Sequence, residues 1–189
     1  MADNQAIVLA LGSNQSLGAD GPGVLLTRAL GLLEAAGVTI VRRSRFFQTP
    51  CFPAGAGPDY VNAVVVVETA LAPSALLKCV HDVEAELGRE RRARWAARTV
   101  DIDLIAYEHS VLPDLDTFIH WRDLPLSVQM QKAPDTLILP HPRLQDRAFV
   151  LVPMRDVVPN WTHPVSGLSV AQMCESLSKE SIQEVKPIL

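Results

Sequence analysis

The chain has 189 residues, 48% of them hydrophobic, and a formal net charge of −4. That suits one domain, residues 1–189, with a real core, and argues against broad nucleic-acid binding. Neither a membrane-length apolar run nor a basic leader is visible, and Cys51, Cys79 and Cys174 are too few and scattered for a disulfide framework or zinc site; a cytoplasmic monomer with reduced thiols is expected.

Ala6–Leu11 is a short apolar run closed by Gly12-Ser13-Asn14, the pattern of a buried strand entering a turn. Leu26, Leu30 and Leu33, followed by Gly37, give a helical stripe with a glycine stop. A second strand is predicted from about Val38 to Phe47, then a Gly/Pro/Ala loop from Thr49-Pro50 through Pro58. The valine-rich stretch Val61 to Glu68 reads as a central strand. Pro73 opens a second helix, in which Leu76, Val80, Val83 and Leu87 share a face and Gly88 supplies the stop. Thr99 to Tyr107 is the fourth strand. The order β-α-β-β-α-β predicts an α+β fold with a ferredoxin-like core, a mainly antiparallel sheet with helices packed on it, followed by a C-terminal elaboration. Leu112 to Leu139 lacks sustained periodicity and reads as an elaborated loop, with 114–135 as an insertion. Arg147 to Met154 fits a helix or an edge strand, and Val170 to Leu177 a short helix.

The chemistry concentrates in Arg98-Thr99-Val100-Asp101-Ile102-Asp103-Leu104. On a strand, side chains two apart face the same way, so Asp101 and Asp103 project together. Adjacent carboxylates repel unless a cation or proton intervenes. Upstream, Arg89, Arg91, Arg92, Arg94 and Arg98 crowd into ten residues. Carboxylates for a divalent metal beside guanidinium groups for oxyanions suit a metal-bound polyphosphate. A solvated strand face and a solvated basic helix end are the ordinary structural alternatives; what favours a site is their adjacency. Tyr60 and Asn62 share a strand face on which a flat heterocycle can stack and hydrogen-bond. Glu84 fits either a nucleotide contact or a solvated helix position.

In order, Gly12-Ser13-Asn14, Thr49-Pro50, Pro58-Asp59-Tyr60-Val61-Asn62-Ala63, Glu84, Gly88-Arg89, Arg94 through Asp103, Leu139-Pro140-His141-Pro142 and Arg147-Ala148-Phe149 resemble the 6-hydroxymethyl-7,8-dihydropterin pyrophosphokinases of folate biosynthesis. The resemblance spans about Ala6 to Pro159. It implies that Asp101 and Asp103 hold two Mg2+ ions bridging the phosphates of ATP, with Glu84, Arg89, Arg91, Arg94, Arg98, His141 and Arg147 on the ATP side. Arg89, Arg98, Asp101 and Asp103 form its catalytic set, with Asp103 a candidate to take the hydroxyl proton. The pterin would lie between Tyr60 and Phe149, read by Asn62 and by Thr49, Pro50 and Phe52, with Trp95 closing over it. The implied reaction passes the terminal diphosphate of ATP to the pterin hydroxymethyl oxygen and releases AMP. Trp95-Ala96-Ala97-Arg98 replaces the family's usual Trp-Gly-Pro-Arg, which predicts altered loop closure.

Two other classes compete. A nucleotidyltransferase combines a Gly-Ser turn with an Asp-x-Asp strand, but within one short unit, whereas here Gly12 and Asp101 are most of a domain apart. An RNA-binding module on the same frame needs exposed aromatics on its central strands, where this chain has Leu and Val.

Overall fold

The structure is a computed structural model and describes residues 3–51, 55, 57–88, 99–129 and 131–188. Strand β1 (Ile7–Ser13) leads into helix α1 (Pro22–Ala35), then β2 (Thr39–Arg43), β3 (Phe47–Thr49), β4 (Tyr60–Glu68), α2 (Pro73–Glu86) and β5 (Asp101–Tyr107). Helices α3 (Leu115–Asp123), α4 (Leu126–Gln129), α5 (Ala148–Val157), α6 (Val170–Glu175) and α7 (Lys179–Gln183) follow, with a last short strand β6 (Lys186–Pro187). The pairings are antiparallel in the order β5-β1-β4-β3-β6, with β2 also on β4. With β2 and β3 as the halves of one predicted strand, this is the sheet order of a ferredoxin-like core.

The predicted second strand breaks at Ser44. Its amide still donates to Val64 O at 2.9 Å, but its hydroxyl accepts from Val64 N at 2.9 Å and donates to Arg45 O, so a side chain replaces a rung of the ladder. The stretch expected to be an elaborated loop instead holds α3 and α4. Asp114 starts α3 by accepting from Thr117 N at 2.8 Å, an N-cap worth about 1 kcal/mol. Leu112 and Leu139 exchange backbone bonds and close the base of this excursion.

Period-two alternation divides the sheet. Ile7, Leu9, Leu11, Val65, Val67, Ile102 and Leu104 pack with α1 and α2 on one face. Ala6, Val8, Val64, Val66 and Ile105 pack with α5 and α6 on the other. Both faces are therefore covered, the second by the C-terminal elaboration.

Candidate active site

Strand β1 sets the register of the site. Gly12 is paired with Asn62 on one side and Asp101 on the other, and Ala10 with Val64 and Asp103. Phe47 of β3 pairs in turn with Asn62. A row of Asp101, Gly12, Asn62 and Phe47 thus crosses four strands on the α5 face. Gly12 lies within β1, whereas the sequence read it as the start of a turn. Its lack of a side chain has a spatial cause: a Cβ there would sit 2.9 Å from Asn62 Oδ1. The Asn62 amide donates to Thr49 Oγ1 at 2.8 Å, and Asn14 donates to Pro58 O at 3.2 Å, tying the end of β1 to the loop before β4.

The charged half lies where α5 begins. Arg147, its N-cap residue, pairs with Asp103 Oδ2 at 2.8 Å, and its guanidinium stands 5.6 Å from the Phe149 ring centroid. His141 is placed by its own amide, which donates to Ile105 O at 2.8 Å on the outer edge of β5. Burial, with Arg147 adding to it, pushes the His141 imidazole well below the usual histidine range, to about 3. Nδ1 accepts from Arg143 N at 3.1 Å, so the neutral ring carries its proton on Nε2.

Glu84 is not a solvated helix residue, one of the two readings its sequence position allowed. It is only 1% exposed, and Oε1 accepts from Ile102 N at 2.7 Å. Ile102 is the residue between the two aspartates, so Glu84 anchors the backbone that presents them. Asp101, Asp103, His141 and Arg147 come together around β5, and Thr49, Tyr60 and Asn62 along β3 and β4; Phe149 stands 41% exposed in the first turn of α5. Pro50 follows β3 directly. Phe52, Arg89, Arg91, Arg92, Arg94, Trp95 and Arg98 lie outside the described residues.

Sequence reasoning missed Cys51. Its buried thiol accepts from Gly57 N at 3.2 Å and donates to Gly57 O at 3.0 Å, closing the loop beside Asn14 and Thr49. Nothing in the spacing of the cysteines signals this.

Two neighbouring carboxylates supply hard oxygen donors, and among the described residues no group of three or more His, Cys, Asp or Glu stands ready to hold a metal. Such a partial set fits Mg2+, which takes one or two carboxylates and completes its shell with phosphate and water.

Residues 8–159 match the model of the 7,8-dihydro-6-hydroxymethylpterin-pyrophosphokinase (HPPK) family. The chain belongs to this family. Membership carries the family's activity, diphosphate transfer to a pterin in folate biosynthesis. A Methylorubrum extorquens 2-amino-4-hydroxy-6-hydroxymethyldihydropteridine pyrophosphokinase is 32% identical over 94% of this chain and 97% of its own length. A Synechocystis protein of the same name is 31% identical over 82% of this chain and 69% of its own. Among solved structures, Plasmodium falciparum HPPK-DHPS, crystallised with pterin and p-hydroxybenzoate, superposes with a TM-score of 0.65 at 15% identity, over 90% of this chain and 42% of that one. The chain thus spans less than half of that longer protein, and the likeness establishes the shared fold.

Proposed function

We propose that the chain transfers the terminal diphosphate of ATP to 6-hydroxymethyl-7,8-dihydropterin, giving AMP and the pterin diphosphate, as a cytoplasmic monomer. The observation that supports the site assignment most is the register across β1, with Asp101 in line with Asn62 across Gly12 and Asp103 one row along on the same sheet face.

Asp101 and Asp103 would hold two Mg2+ ions, which when bound supply charge neutralisation and alignment of the phosphate chain. Arg147, now paired with Asp103 at 2.8 Å, would supply a guanidinium fork for phosphate oxygen beside that carboxylate. His141, neutral, offers Nε2–H as a donor to the nucleotide. Arg89, Arg91, Arg94 and Arg98 are assigned to the same polyphosphate. Asn62 and Thr49 read the pterin edge together with the backbone at Pro50 and Phe52, Tyr60 and Phe149 flank the ring, and Trp95 closes over it. Glu84 acts through Ile102 N and keeps Asp101 and Asp103 in place. Catalysis then consists of orientation and electrostatics, with water excluded by the loops.

Incubation with ATP, Mg2+ and the reduced hydroxymethyl pterin should yield AMP and the pterin diphosphate. Asp101→Asn and Asp103→Asn should each lower kcat/KM by roughly a hundredfold or more. Pyrophosphate release would indicate nucleotidyl transfer instead, and full activity in both variants would remove the metal assignment.

A further inference from the structure

The family match ends at residue 159, yet the chain continues into a segment that returns to the sheet. β6 adds to the outer edge of β3, pairing Pro187 with Phe47 and Lys186 with Gln48, and Ile188 N donates to Phe46 O at 2.8 Å. β3 is three residues long, and its other edge pairs Phe47 with Asn62 and Thr49 with Tyr60. Above it, Val185 joins Phe47, Ala148 and Val152 in a small buried cluster, with Leu177 and Ile182 packed against it.

That cluster adjoins both of the walls assigned to the pterin. Phe47 is two residues before Thr49 on the same strand face, and Ala148 stands between Arg147 and Phe149 at the start of α5. Val185 and Ile182 therefore help fix the gap between the Thr49/Asn62 wall and the Phe149 wall. The carboxylates of the metal-binding half are on β5, at the opposite end of the sheet path, and are anchored separately through Glu84 and His141; Arg147, the nucleotide-side residue beside Ala148, is held from that side by its pair with Asp103.

We propose that the C-terminal segment Ser178–Ile188 is a positioning element for the pterin half of the site, a strap that holds β3 and the first turn of α5 at the spacing the heterocycle needs. The proposal rests on the pterin reading above. A three-residue strand stripped of its outer partner keeps few rungs, so loosening the strap frees β3 at the position of Thr49. The side chains of the strap do not touch substrate; they act through Phe47 and Ala148.

The test uses the whole 189-residue chain in four forms: wild type, Val185→Ala, Val185→Ile and Ile188→Pro. The last removes the bond to Phe46 O while leaving the apolar cluster complete. Oxidised 6-hydroxymethylpterin, which cannot be mistaken for turnover, is titrated calorimetrically, and Mg2+ with a non-hydrolysable ATP analogue is titrated separately. The expected result is a pterin Kd raised at least fivefold in Val185→Ala and Ile188→Pro, a nucleotide Kd within twofold of wild type, and near-wild-type binding of both ligands in Val185→Ile. Equal weakening of both ligands would reduce the segment to a general stabiliser and overturn the proposal, as would unchanged pterin affinity in the two weakened variants. Wild-type protein that fails to bind the pterin would instead overturn the underlying site reading.

Discussion

At the scale of single residues, the site depends on side chains whose neighbours leave them little room. Gly12 illustrates this, because the Asn62 amide occupies the space its Cβ would need. Gly12→Ala should push that amide away from Thr49 and raise the KM for the pterin roughly tenfold, about 1.4 kcal/mol of lost contact, with the KM for ATP little changed. Steady-state kinetics with each substrate varied in turn checks this, and equal effects on both would refute it. Asp101 and Asp103 were legible in the sequence because a strand's period of two is a local property. The loop thiol of Cys51 was not, since its partner is set by how the chain returns at Gly57.

At the scale of elements, β5 is an edge strand whose outward groups are satisfied by other parts of the chain. Glu84 of α2 accepts from Ile102 N, and the segment after α4 sends His141 N to Ile105 O. Glu84→Leu leaves a buried N–H unpaired, at a cost of about 1–3 kcal/mol in stability. Acting as a support behind two metal-binding residues, it should also lower kcat/KM by roughly ten- to a hundredfold. Glu84→Gln keeps an acceptor oxygen and should recover most of both losses, as read by urea midpoints and kinetics. If the glutamine variant were as inactive as the leucine one while remaining stable, Glu84 would have to meet the nucleotide directly. The elements hardest to read were those whose pattern the tertiary environment overrides. α5 buries most of its surface and contains Pro153, so no polar face marks it as a helix. α3 buries only Phe118 among its described positions and so lacks a stripe to detect.

At the scale of the whole molecule, the C-terminal half is tied together through His163, which is buried between Phe118 of α3 and Trp161, with ring centroids 5.7 and 5.9 Å away. Its Nδ1 accepts from both Val165 N and Ser166 N, so the ring is neutral. Burial, reinforced by Arg122, lowers its pKa to about 4, against an ordinary value of 6.5. The folded state resists the proton that the unfolded chain accepts, so this contribution to stability is fully present above pH 6.5 and is lost as the pH falls toward 4. By pH 5 the loss from this one group reaches about 2 kcal/mol. His163→Asn, whose side-chain oxygen can take over from Nδ1, should flatten the difference between denaturant midpoints at pH 7 and pH 5. An unchanged pH dependence in that variant would assign the acid sensitivity to other groups.

The sequence by itself determined the order of strands and helices through β5, the antiparallel core they form, the shared direction of Asp101 and Asp103, and the family, because these depend on local periodicity and ordered motifs. Only the tertiary structure decided that the aspartates share a face with α5, that Glu84 accepts from the backbone between them, and that β6 pairs with β3. Each of those facts is a hydrogen bond or packing contact between residues distant in the chain. No local pattern of apolar and polar residues encodes which distant group will arrive to satisfy a strand edge or fill a gap.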